Sequence, residues 1–256
     1  MTRALRPSHF HSAKLMRVLA ELALVDSAAS GAAFAQKLGL WVSFTDAIAL
    51  CAVHSITPTR PVDERSQGDG VRAVVQDFAR VRATLEQALH PSGAPKGSKN
   101  RITLPAPDLA LPLDAKTAFE PYRRYYQAQQ REMEQSVDSL RTRVRAALTH
   151  AWPKMQQLAA LDGALAAILG ARESRLLATL PSLLEQRFGH LLQVHQQHLS
   201  DQQLTDQPAL WLQAGSWLAR FGQELHSVLL AELDLRLQPT LGLVEALQNE
   251  KKTEHA

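Results

Sequence analysis

Between Phe119 and Ala151, apolar or amphipathic side chains return at steps of three and four: Phe119, Tyr122, Tyr126, Gln129, Met133, Val137, Leu140, Val144, Ala147 and Ala151. Steps of that size hold residues on one side of an α-helix but scatter them over both faces of a strand. The stretch can therefore bury its oily side only as a helix. Asp114 is placed to cap it, and at about 1.5 Å per residue a helix from there to Ala151 would be on the order of 50 Å long. Two consecutive steps of four around Met133 are the pattern of a stutter, which relaxes a left-handed supercoil. A rod of this length needs other rods against it.

The rest of the chain supplies them. Ser12 can cap a first helix carrying Leu15, Val18, Leu19, Leu22 and Val25, and a second, starting near Ser30, places Phe34, Leu38, Trp41, Ile48, Ala52 and Ile56 along one side. TPTRPVDERSQGDG, residues 57–70, reads as a break before a third helix with Val71, Val74, Val75, Phe78, Val81, Leu85 and Leu89. Trp152-Pro153 separates the long helix from a stretch that runs to Gly170 with Met155, Leu158, Leu161, Leu165, Ile168 and Leu169. Leu176, Leu180, Leu183, Leu184, Leu191 and Val194 continue across Pro181 to about Leu199. A last helix is expected to align Trp211, Leu218, Phe221, Leu225 and Leu229, with Ala214, Gly215 and Gly222 admitting a close neighbour, and to end at Pro239.

The fold expected is all-α: a multi-helix bundle with long antiparallel helices and a Pro-rich internal linker. Residues 1–90 would form a three-helix portion, residues 91–114 the linker, and residues 115–256 a bundle of long helices. Five prolines between His90 and Asp114 forbid a continuous helix there. Alanine, leucine, glutamine and arginine dominate, and aromatic residues make up only 5%, which favours helices over an all-β fold. No Gly-rich phosphate loop and no sustained alternation appears, so nucleotide-binding α/β folds are disfavoured.

A net charge of +3 permits nucleic acid without demanding it. Cys51 is the single cysteine and lies in an apolar run, which fits a buried thiol and a reducing compartment. Ala47 to Thr59 and Gly163 to Ala171 are too short to span a bilayer. Arg17, Glu21 and Asp26 interrupt the N-terminal apolar run, so it reads as a helix rather than an export signal, and no membrane insertion is expected.

The segment PYRRYYQAQQREMEQS sets arginines beside tyrosines, yet Tyr122 and Tyr126 fall on the Phe119 and Leu140 side while Arg124 and Arg131 point elsewhere. Nucleic-acid platforms put aromatic faces and cations on one surface. Arg123, Arg124, Arg131, Arg141, Arg143 and Arg145, with Lys96, Lys99 and Arg101 of the linker, are the candidate phosphate contacts, although Glu120, Glu132, Glu134 and Asp138 interleave the helical ones. His195 and His198, with His190 earlier, have a spacing that two zinc ligands could use, but no nearby acid or thiol completes a set. Cys51 and His54 lie one turn apart without an orienting group, and Asp46 is a carboxylate among apolar neighbours, with a solvated flank favoured over a bond to a neighbouring helix end. No catalytic, cofactor-binding or metal-binding residue is assigned, and no cofactor is expected.

Three stretches, FHSAKLMRVLAELALVDSAASGAAFAQKLGLWVSFTDAIAL, PYRRYYQAQQREMEQSVDSLRTRVRAAL and FGQELHSVLLAELDLRLQPTLGLVEALQNE, together with Leu176 to Leu199, resemble a proteobacterial family, domain of unknown function 3348. The resemblance implies a cytoplasmic bacterial protein, encoded beside a long coiled-coil membrane protein and an OmpA-like, peptidoglycan-binding one. It implies no activity and no catalytic residues.

The function expected is that of a non-enzymatic helical scaffold or adaptor that binds a partner protein or itself through its long helices, accessory to an envelope-spanning system. Tyr122, Tyr126, Met133, Leu140, Trp211 and Phe221 are the candidate interaction residues. The alternative is nucleic-acid binding through the arginine-rich face of the long helix.

Overall fold

The computed structural model describes residues 12–22, 24, 43–55, 64–90, 102–107 and 114–254. Among them are seven α-helices and no strand: α1 (Ser12–Glu21), α2 (Phe44–His54), α3 (Glu64–Leu89), α4 (Ala115–Thr149), α5 (Pro153–Leu177), α6 (Leu180–Asp201) and α7 (Trp217–Glu254). A 3-10 turn, Pro208–Leu210, precedes α7. The fold is an all-α bundle.

Helix α4 follows its spacing. Asp114 has extended backbone and its carboxylate accepts from the Thr117 amide at 2.9 Å and the Thr117 hydroxyl at 2.7 Å, which supplies a partner to one free N–H of the first turn. Phe119, Tyr122, Tyr126, Gln129, Met133, Val137, Leu140 and Val144 are all buried, as the period requires. Tyr125, outside that spacing, is buried too, so the buried stripe is wider than the two-position seam of a coiled coil.

Helix α7 is the axis. Leu225, Val228, Leu229, Ala231 and Leu233 point in different directions around it and all are buried, the signature of a helix surrounded by neighbours. α1, α3, α4, α5 and α6 all pack against it. Index pairs give the directions. Glu134 with Ser174 and Arg141 with Asp162 run opposite ways, so α5 lies antiparallel to the second half of α4. Phe119 with Phe188 and Arg123 with Glu185 make α6 antiparallel to its first half. Phe119 with Phe221 and Tyr126 with Glu232 rise together, so α7 runs parallel to α4 rather than against it. Leu15, Leu19 and the α3 side chains from Val71 to Leu89 belong to the same hydrophobic core as α4 to α7.

Several boundaries differ from expectation. The helix expected to run from near Ser30 to Ile56 starts only at Phe44 among the described residues. Ser43 is extended and caps a new helix, its hydroxyl accepting from the Asp46 amide at 3.1 Å while the Asp46 carboxylate accepts from the Ser43 amide at 2.9 Å. Those bonds hold the Asp46 carboxyl below its ordinary range, so Asp46 caps its own helix instead of serving a neighbour. Phe34, Leu38 and Trp41 lie outside the described residues. Ile48 is exposed, and so is Cys51, which corrects the buried thiol; the side chain of His54 lies outside the described residues.

Helix α3 begins at Glu64, inside the expected break, and α5 passes Gly170 to reach Leu177. Pro239 does not end α7: although it withholds an amide from the Leu235 carbonyl, Leu237, Thr240, Leu243, Val244 and Leu247 are buried on both sides of it, and that burial outweighs a break of about 3 kcal/mol. Of the Pro-rich segment, residues 102–107 have no regular structure, and Ile102 and Leu104 pack partly against the core.

The end of α3 meets α7 through two histidines. His226 Nδ1–H donates to the Leu89 carbonyl at 3.1 Å, and its ring lies edge-on to His90 at 5.5 Å. Burial and the facing His90 hold His226 below its ordinary value of about 6.5, the Leu89 bond pulling weakly the other way. The folded state thus prefers the neutral ring. Its contribution is fully present above about pH 6.5 and is lost as the pH falls from there towards the lowered value. Thermal midpoints of the wild type should drop more than those of His226→Gln over that interval, and equal slopes would remove His226 as the cause.

Candidate functional site

The six expected interaction residues Tyr122, Tyr126, Met133, Leu140, Trp211 and Phe221 are all buried in the chain's own core. The spacing identified a seam correctly in position, but α5, α6 and α7 fill it. These side chains are not available to a partner of the folded chain. Burial alone pushes the Tyr122 phenol up to about 12.

A polar knot lies within that seam. Glu232, with no solvent exposure, accepts from Tyr126 Oη at 2.6 Å, from Gln130 Nε2 at 3.1 Å, and from Arg236 Nε at 2.9 Å and Nη2 at 2.8 Å. Gln130 Nε2 also donates to the Leu177 carbonyl at 3.0 Å. The knot therefore joins α4, the end of α5, and α7. Burial raises the nearby Glu173 carboxyl, with Arg236 and Arg141 opposing. A carboxylate so enclosed meets no substrate; it fixes how the helices are aligned.

The candidate phosphate-binding arginines are mostly spoken for. Arg123 reaches Glu185 at 2.5 Å and lies over the Phe119 ring, Arg124 holds Glu120 at 3.0 Å, and Arg143 holds Asp77 at 2.9 Å. Arg141 forms a two-pronged pair with Asp162 at 2.9 and 2.6 Å, and Arg145 approaches the same carboxylate at 3.7 Å. Arg131 bonds the Gln127 carbonyl at 3.3 Å. Arg187 likewise pairs twice with Glu224 at 2.7 Å, and although burial pushes the Glu224 carboxyl up, its bonds to Arg187 and Arg220 prevail and hold it low. Lys96, Lys99 and Arg101 lie outside the described residues.

The α6–α7 connection holds a cleft of about 540 Å³, walled by His195, Leu199, Leu204, Leu210, Trp211 and Trp217 among others. Trp211 was expected inside the last helix; it instead sits in the turn before it, its carbonyl accepting from the Ala219 amide at 3.1 Å and from the Ser216 hydroxyl. Ala214 and Gly215 belong to this turn, where Gly215 adopts a φ of +87° that suits a residue without a Cβ. Gly222 meets no neighbour closely, so the expected backbone approach is absent there.

His195 Nε2 lies 3.2 Å from Asp206 Oδ1, and the Trp211 indole N–H donates to the same oxygen at 2.8 Å. The His195 ring stacks on Trp217 at 5.8 Å. His190 and His198 are exposed, and no group of three metal-ligating side chains forms among the described residues. The histidine pair thus contributes one ring to a turn-fixing contact.

The turn starts with a built stop. The Leu204 amide donates to the Leu199 carbonyl at 2.9 Å and the Gln203 amide to the Ser200 carbonyl at 3.2 Å, the two bonds of a Schellman motif. Gln203 occupies the left-handed position with φ 53°. A glycine escapes the Cβ clash there, so Gln203→Gly should raise unfolding free energy by about 1 kcal/mol in urea titration.

From the sequence, one helix is expected to end near Leu199 and the last to start at about Trp211, with nothing assigned to the stretch between them. The signal that could have marked it is three leucines, Leu204, Leu210 and Leu212, in a segment that no helical period buries; all three are exposed. Neither a curated protein nor a solved structure matches the chain. The family model described as "Protein of unknown function (DUF3348)" matches residues 1–249, and the chain belongs to that family.

Proposed function

We propose that this protein is a non-enzymatic helical adaptor that binds a partner protein or a second copy of itself. The observation that carries the reading is where apolar surface remains. Of the eight large hydrophobic side chains exposed among the described residues, four, Val194, Leu204, Leu210 and Leu212, fall between the last turns of α6 and the start of α7. Scattered exposed leucines are ordinary, whereas a group of four at one end of a bundle is the composition of a contact surface. From the family resemblance alone we place such an adaptor beside a bacterial envelope-spanning assembly. Among the described residues no helix is long and apolar enough to cross a membrane.

Light scattering and co-purification from the native host test the reading. A particle heavier than one 28.2 kDa chain, or a retained protein, is the expected result. A strictly monomeric chain that retains nothing would overturn it.

Nucleic-acid binding through Arg123, Arg124, Arg131, Arg141, Arg143 and Arg145 draws less support, because five of the six already face a carboxylate of the same chain. Phosphate would have to displace those partners, and gel shifts at low salt would detect it.

A further inference from the structure

We propose that the α6–α7 turn is a docking surface for an amphipathic peptide segment of a partner protein, one presenting leucine-sized side chains together with lysine or arginine. The inference rests on the adaptor reading and names its partner's chemistry.

Three observations converge on that occupant. Leu204, Leu210 and Leu212 are 54%, 43% and 58% exposed, and the first two border the cleft, so apolar side chains can enter between them. The cleft also takes in Trp217, which is buried but for 8% and whose indole N–H has no acceptor among the described residues. A buried donor without an acceptor costs stability, and a peptide that drew the indole out of its enclosure would satisfy it with a carbonyl. Finally, from Phe188 to Ala219 the sequence holds no lysine or arginine, while Asp201 and Asp206 supply negative charge, in a chain whose net charge is +3. Asp201, the last residue of α6, is exposed.

The charge also separates the alternatives. A two-fold contact between copies would set this acidic face against itself, and an anionic lipid surface would be repelled. A basic amphipathic segment gains on both counts: its leucines bury exposed apolar area and its cations meet Asp201 and Asp206. The Schellman stop at Gln203 and the bonds to the Trp211 carbonyl hold the turn in shape before any partner arrives, so little ordering is required on binding.

The test uses the full chain and two fluorescent helical peptides with the same leucine positions, one bearing lysine and the other glutamate at the polar positions, followed by anisotropy. The lysine peptide should bind at least about tenfold more tightly, and its affinity should fall with salt and with Asp201→Asn. Leu204→Asp with Leu212→Asp should abolish it while far-ultraviolet circular dichroism stays unchanged; Leu212→Ser alone, which adds no charge, should weaken it several-fold. Equal binding of the two peptides, binding indifferent to these variants, or no binding would overturn the proposal. A photo-crosslinker at Leu212 and another at the exposed Leu176 of α5, used in the host, separate this claim from the adaptor reading. Partner adducts at Leu176 but not Leu212 would leave an adaptor and refute this surface. Adducts between copies at Leu212 would refute the peptide in favour of self-association, and no adduct at either position would count against both.

Discussion

Glu232→Ala should destabilise the protein by about 3–5 kcal/mol, read as a lower urea midpoint at an unchanged slope. The glutamate is completely buried, and its removal leaves three donors facing a cavity: the Tyr126 hydroxyl, one Gln130 N–H and the Arg236 guanidinium. Arg236 is the costly one, since a buried charge without its partner loses both hydration and attraction. Glu173 lies close enough to Arg236 to take up part of that charge, which places the expected value towards the lower end of the range. Two companions identify the cause. Tyr126→Phe removes one hydrogen bond and should cost about 1–2 kcal/mol. Glu232→Met combined with Arg236→Met removes both charges and should cost less than Glu232→Ala alone, even though Tyr126 and Gln130 still lose their acceptor. If the double variant is the weaker of the two, the knot stabilises through packing rather than charge pairing.

The same knot marks where a single sequence stops being informative. The spacing from Phe119 to Leu140 was sufficient to place α4, and Asp114 and Pro153 marked helix starts, because these signals are local and the backbone responds to them within a turn. Glu232 and Arg236 sit four apart and read as a surface pair; what makes them a buried knot is Tyr126, 106 positions away. Local signals also failed where tertiary burial outweighed them. Pro239 argues for a stop, yet it lies inside a helix whose flanking side chains are packed; Gly170 also lies inside a helix, where a lone glycine costs only about 1 kcal/mol. Trp211 failed in the opposite direction: seven positions before Leu218, it imitates the helical period, yet Gly215 and the Ser216 hydroxyl turn the chain between them. Periodicity likewise cannot tell an intramolecular seam from an intermolecular one, which is why Tyr122, Met133 and Leu140 read as partner contacts until α5 to α7 were seen to cover them. The exposed leucines of the α6–α7 turn had no period at all, and only their exposure distinguishes them.

Phe188→Ala is expected to cost about 3–5 kcal/mol as well, by a different route. Phe188 is buried where α4, α6 and α7 meet, its ring 5.6 Å from Phe119, 5.7 Å from Tyr122, 5.0 Å from Phe221 and 5.4 Å from Trp217. Truncation forfeits the transfer of the ring and leaves a hole that four rigid neighbours cannot close. The edge-to-face geometry with Phe221 and Trp217 adds about 0.5–1.5 kcal/mol per pair beyond burial. Phe188→Leu fills most of the volume without the ring edges and should cost about half as much. The contact with Trp217 carries the effect outward, because Trp217 also supports His195 and walls the cleft beside Leu210. Tryptophan emission should therefore shift to the red in Phe188→Ala below its unfolding midpoint, and the lysine peptide should bind it more weakly than it binds Phe188→Leu. Emission that moves only with global unfolding would mean that the turn keeps its shape without this ring, and that Asp206, through Trp211 and His195, is sufficient to hold it.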